Sequence, residues 1–363
     1  MKIAKVLTAL LLALCLCLTT TACGAAPAPA VPDAASDPSP AEAAAEAGAP
    51  ADAAEPEETP APADPAIDPA LPVRVMTLNG TTGFGMAGLI SKAGSGEAAL
   101  SYRFSVETDP SVVTAALVSG DCDIAALPTN AAAALYNKTG GKVQLLALNT
   151  RGVLYLVTDG SVTVESFADL EGQTVYVPAQ NPSFIFSYLC RANGVNVTLD
   201  NSYAQPAELS AAAAAGQVSI AVLPEPILTV TRSQNPDLTV ALDLGAEWDK
   251  VAEPGSLVQG CVVVRSEFAG QHPAETARFL EEYGESVALL TEDPAAAAQR
   301  IEEAGIFAKA AVAEKALPRC SVCFVTGEEM RAQMRAFLEI MAEAAPASIG
   351  GAVPGDDFYW LGI

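Results

Sequence analysis

VVTAALVSGDCDIAALP, Val112–Pro128, has a counterpart in AELSAAAAAGQVSIAVLP, Ala207–Pro224. Gly120 aligns with Gly216 and Pro128 with Pro224, each pair 96 positions apart. Each unit reads as a helix stopped by glycine, then a short continuous apolar run, then a proline-marked turn. Asp109-Pro110 and Gln205-Pro206 stand where the helices begin, with proline near the first helical position, where its missing N–H does no harm. A short apolar run with no alternation is the pattern of a strand covered on both faces, as in a parallel sheet flanked by helices.

The likeness extends outward from both copies. Val143–Leu148 and Leu238–Leu244 read as strands downstream, and Val73–Leu78 and Thr174–Val177 as strands upstream. The upstream strands run into loops of small polar residues, Asn79-Gly80-Thr81-Thr82-Gly83 and Gln180-Asn181-Pro182-Ser183. Each half therefore predicts β-α-β-α-β, the signature of an α/β lobe. The period is too long for a stacked solenoid. Gly152–Val157 and Gly260–Val264 each follow a lobe's last strand, and are expected to be paired strands that cross between the lobes as a hinge. Beyond them, Asp293-Pro294 opens a helix that Gly305 ends, and Glu328–Ala344 is amphipathic. These helices are expected to pack on the first lobe, which makes that lobe discontinuous.

The ends of the chain have a different composition. Residues 1–22 place Lys2 and Lys5 before an apolar run, Val6–Leu18, and small residues before Cys23, which is the form of a secretory signal. The run is shorter than the ~20 residues that span a bilayer. Cys23-Gly24 resembles a bacterial lipoprotein cleavage site, with Thr20 where leucine is usual, and Cys23 is the expected lipidation site. Residues 23–70 are mostly Ala, Pro, Asp and Glu, with ten acids and no base after the cysteine. Such a segment cannot bury enough apolar surface to offset its chain entropy, and is expected to be a disordered tether.

Across 363 residues the formal charge is −24, from 43 acidic and 19 basic residues. A charge of that sign excludes the basic footprint that nucleic acid requires. His272 is the single imidazole, which leaves no zinc module and hardly any room for a Ser-His or Cys-His hydrolase. Cys320-Ser321-Val322-Cys323 has metal-like spacing without a second pair, and runs into Phe324-Val325, which reads as strand. With five cysteines in the folded part (122, 190, 261, 320 and 323), buried thiols are expected rather than a disulfide framework. Glu281-Glu282, Glu302-Glu303, Glu328-Glu329 and Asp356-Asp357 read as solvated acid pairs. No Walker loop or dinucleotide fingerprint is present, and neither a cofactor nor a metal is expected.

The leader, the acidic tether, the paired lobes, DIAALPTN (Asp123–Asn130) and IAVLPEP (Ile220–Pro226) together resemble the substrate-binding proteins of ABC transporters. The branch is the one named for nitrate, sulfonate, taurine and thiamine-precursor uptake. The resemblance covers Leu71–Ile363. It implies an α/β, two-lobed periplasmic-binding-protein fold of type II, with parallel-sheet lobes joined by two hinge strands. Lobe one would hold residues 71–155 and 258–363, and lobe two residues 156–257. It further implies a monomer outside the cytoplasmic membrane, in the periplasm or on the cell surface, that passes a small molecule to a permease driven by a cytoplasmic ATPase. An extracytoplasmic enzyme or a ligand sensor on the same fold is the alternative.

Ligands of open α/β sheets bind beyond the carboxyl ends of the strands. That rule selects Asn79, Gly80, Thr81, Thr82, Gly83 and Phe84 after the first strand, and Thr129 and Asn130 after Pro128. In lobe two it selects Gln180, Asn181, Ser183 and Phe184, together with Glu225. Thr129, Asn130 and Ser183 either donate to an oxyanion beside helix N-termini or cap those helices. Glu225 either faces the cleft, where it would repel an anion and favour an amine or ring N–H, or is an acid at a helix start. Phe84, Phe184 and Phe186 either stack on a ring or belong to the cores.

Overall fold

A computed structural model describes residues 67–362. The expected signal, the lipidated Cys23 and nearly all of the tether lie outside the described residues.

The first sheet begins with β1 (Pro72–Leu78), β2 (Ser101–Glu107), β3 (Ile124–Pro128) and β4 (Val143–Thr150). The second is built from β5 (Leu154–Thr158), β6 (Thr174–Tyr176), β7 (Thr198–Asp200), β8 (Ile220–Pro224) and β9 (Thr239–Asp243). The chain then returns as β10 (Gly260–Arg265) and β11 (Val322–Val325). The first sheet has the order β11-β4-β10-β3-β1-β2 and the second β7-β6-β8-β5-β9. Leaving out β11, the two orders are the same: in each sheet one strand delivered by a crossing is wedged beside the third strand and runs antiparallel to it.

Three expectations are corrected here. The crossing strands do not pair with each other. Cys261 of β10 faces Leu127 of β3, and Tyr155 of β5 faces Leu223 of β8, so each completes a separate sheet. For the same reason Leu154 and Tyr155 belong to the second sheet, not the first lobe. Each half also carries an edge strand beyond the expected β-α-β-α-β, β2 or β7, which shows no continuous apolar run because an edge strand is covered on fewer sides.

The repeated units fold as their residues require. The helix Pro110–Ser119 starts at Asp109, whose side chain accepts from the Ser111 N–H, and stops at Gly120 with φ +83°, in the left-handed region. In the second lobe Gln205 and Glu208 cap the helix Pro206–Ala214 reciprocally. The strands that follow, β3 and β8, are buried along almost their whole length.

One face of the first sheet packs Val73, Val75, Ile124 and Val262 against the C-terminal helices through Phe279 and Ile301. A second core runs from the other face of that sheet into the second lobe. Trp248 is its link: it lies 4.7 Å from the Tyr188 ring and 6.0 Å from the Phe337 ring, and its indole N–H donates to Ser256. Around the crossings, Gln259 joins three segments. Its side chain accepts from the Val153 N–H, its own N–H donates to the Thr150 carbonyl, and its carbonyl accepts from the Thr129 N–H. Gly152 is required beside it, since a Cβ there would lie 3.0 Å from the Gly245 Cα and 2.8 Å from a Leu257 methyl. The lobes are thus joined by a packed, hydrogen-bonded seam.

Candidate functional site

The carboxyl ends of β1 and β8 face a cavity of about 860 Å³. From the first lobe it is lined by Asn79, Gly80, Thr81 and Thr82, and from the second by Glu225, Pro226 and Ile227. Glu302 and Gly305–Ala308, from the C-terminal part of the chain, close it further. A volume of that order is typical of small-molecule sites. A second cavity, about 370 Å³, lies beside the first crossing among Arg151, Gly152, Asp243 and Cys323.

The first-lobe loop is held rigidly. The buried Asn149 side chain donates to the Thr82 carbonyl, and the Gly80 N–H donates to the Ile306 carbonyl. The Asn79 N–H donates to Glu107 and the Gly83 N–H to Gly80. A Cβ on Gly83 would collide with the Leu78 carbonyl, so glycine is needed for that turn. These bonds fix the loop and engage three of its amide donors.

Glu225 is buried, and its carboxylate is surrounded by donors. The Thr229 N–H donates to Oε2 at 3.1 Å and the Thr229 hydroxyl to Oε1 at 3.0 Å. Arg319, which packs with the first sheet, reaches across to donate from Nε to Oε1 at 2.6 Å and from Nη2 to the Thr229 hydroxyl at 2.8 Å. The Arg319 carbonyl in turn accepts from the Tyr155 hydroxyl of the second lobe. Glu225 is therefore both an acid at a helix start and a partner in an ion pair between the lobes. Such a pair holds its geometry because the fully buried Glu225 carboxylate left alone would be strongly unfavourable.

A second polar bridge joins the lobes where two helices start, as the Asn181 side chain donates to the Asn130 side chain at 2.7 Å. Neither residue is in the cavity wall. Thr129 is buried and caps nothing; its hydroxyl donates to the Val258 carbonyl in the second crossing. Ser183 donates to the Pro178 carbonyl and accepts from Asn201, so its hydroxyl orders the loop. Gln180 is exposed with φ +66°.

Of the two readings open for the aromatics, two rings take the core one. Phe84 and Phe186 are wholly buried, Phe84 edge-on to Phe307 and Phe186 beside Phe167. Phe184 is half-buried against the second lobe's core. The aromatic in the cavity wall is Phe307, and with Glu302 and Arg319 it was missed in the sequence. The Glu302 pair looked like any solvated helix face, and Arg319 lies 94 residues from the carboxylate it meets.

Burial pushes the thiols up: Cys190 and Cys323 to about 11 and Cys122 to about 12, with Cys261 and Cys320 also raised. All five are free and none is poised as a nucleophile at neutral pH. Among the described residues no group of His, Cys, Asp and Glu is placed to hold a metal ion, and no helix is long and apolar enough to cross a membrane.

No family model matches the chain, and no curated protein matches it. Solved structures do. An ABC transporter protein from Parabacteroides distasonis has a TM-score of 0.68 at 24% identity, covering 81% of this chain and 99% of that one. This is the fold of the periplasmic binding proteins. The aliphatic sulphonate binding protein SsuA from Escherichia coli follows at 0.64 and 14% identity, with 80% and 92% covered. The ligand-binding component of an ABC-type import system from Staphylococcus aureus, solved with zinc bound, stands at 0.60 and 14%, with 80% and 96% covered. The binding-protein fold accounts for the two sheets of equal strand order and for a cavity where their strands end.

Proposed function

We propose that this chain is the solute-binding component of an ABC importer. It would take a small polar molecule between its lobes outside the cytoplasmic membrane and deliver it to a permease. The observation that carries this reading is the cavity of about 860 Å³ whose walls come from both lobes, at the carboxyl ends of β1 and β8. The binding-protein fold of the structural neighbours supports it, and their descriptions are of binding and transport proteins. The lipoprotein-like Cys23 supports a membrane tether, with the acidic segment giving reach. We place Asn79, Gly80, Thr81, Thr82 and Glu225 at the ligand, with Asn130 and Asn181 at the lobe contact.

In this reading the ligand binds the closed form and shifts the population toward it. Thermal unfolding of the full chain, in detergent, against a library of small metabolites tests the proposal. A ligand at 100 times its Kd stabilises by ~2.7 kcal/mol, a clear rise in Tm. The stabilised complex should also be more compact in solution scattering and leave the ligand chemically unchanged. Turnover of the ligand would favour an enzyme on this fold instead.

A further inference from the structure

The ionisable side chains in the cavity wall are Glu225 and Glu302, and no Lys, Arg or His lines it. Arg319, just outside, has its Nε and Nη2 engaged by Glu225 and Thr229, so its charge is balanced by one of the two acids. The Asn79, Gly80 and Gly83 amide donors of the loop are engaged within the protein, which leaves those of Thr81 and Thr82 for a ligand. An entering anion would thus meet charge of its own sign in the wall, whereas a cation is drawn in.

The second acid is well placed to act on it. Glu302 is exposed, and its Oε2 accepts from the Ala310 N–H, which orients the carboxylate. Phe307 lines the same wall, and the Phe84 ring holds it at 6.2 Å and 76°. A carboxylate and a fixed aromatic ring in the wall of one cavity suit a nitrogen cation. The Asn79 side-chain carbonyl and the Thr81 and Thr82 hydroxyls add acceptors for its N–H groups.

We propose that the ligand of this cavity is a small organic cation, an ammonium or guanidinium compound, held by Glu302 and Phe307. This rests on the solute-binding reading above. It sets the chain apart from its sulfonate-binding structural neighbour, whose ligand has the opposite charge.

The test is calorimetric titration of the full chain with putrescine, agmatine and choline, and in parallel with ethanesulfonate and nitrate. The cations are expected to bind, more weakly as salt rises. Glu302→Gln keeps an oxygen for the Ala310 N–H and removes the charge, and should raise the Kd of the cations about tenfold. Phe307→Leu keeps the apolar bulk and should weaken choline severalfold. The melting temperatures of both variants without ligand, if near the parent's, show that folding is intact. Tighter binding of ethanesulfonate or nitrate overturns the inference and leaves the solute-binding reading standing. Cation binding unaffected by Glu302→Gln overturns the assigned site. Silence of both series overturns the inference, and only failure of the wider metabolite library as well counts against the solute-binding reading.

Discussion

Asp123 starts the repeated strand motif and is almost fully buried. It is held by Arg74, through Nε at 2.8 Å and Nη2 at 2.5 Å, and by Arg265 at 3.0 Å. Burial alone would raise this carboxyl, but the bonds and charges of the two arginines bring it below the usual carboxylate range. The folded state therefore binds that proton more weakly than the unfolded chain does. The stability it contributes is complete above the unfolded value of ~3.9 and is lost as pH falls through the lower folded value. Asp123→Asn should cost ~3 kcal/mol at pH 7, because it leaves Arg74 without a counter-charge and Arg265 with Glu267 alone. Urea unfolding at several pH values checks this: the gap between parent and variant should narrow below pH ~4. Parallel curves from pH 7 to pH 3 would show that the pair is not the source of the stability.

Among the elements, the two glycine-stopped helices carry the clearest test. Gly120 lies at φ +83° with only the tip of the Arg265 side chain near its Cβ position, at 3.8 Å. Gly120→Ala should therefore cost about 1 kcal/mol from backbone strain alone. The urea midpoint should fall with m unchanged, and a changed m would point to a disturbed core instead. These helices and the strands after them were legible because each residue type has one local role: Asp109 caps, Gly120 stops, and Ile124–Leu127 is buried on both faces. β2 was readable in principle, since Tyr102, Phe104 and Val106 alternate with Ser101, Arg103 and Ser105, but its signal is period two rather than a run. β7 is too short to carry a period. At the cavity, the loops at the strand ends could be found by rule, and Asn79–Thr82 and Glu225 line it. The use of each side chain could not, because it depends on tertiary partners. Thr129 serves the second crossing, Ser183 its own loop, and Phe84 the core.

For the whole molecule, the Arg319–Glu225 pair connects the lobes, and Asn130–Asn181 is the parallel contact. Arg319→Ala would leave a buried carboxylate unpaired, a penalty of about 3–5 kcal/mol that parting of the lobes relieves by letting in water. The variant should show a larger radius of gyration in solution scattering with its far-UV spectrum unchanged. An unchanged radius would mean that the seam at Trp248 and Gln259, not this pair, sets the lobe angle. The wedged strands have a different consequence, for the order in which the protein can assemble. Every strand of the second sheet lies between residues 154 and 243, so that sheet is complete as soon as this stretch has emerged. The first sheet is split, with β3 and β4 lacking a neighbour in common until β10 arrives at residue 260. A chain made from its N-terminus therefore holds its first-made half unfinished until its second half is formed.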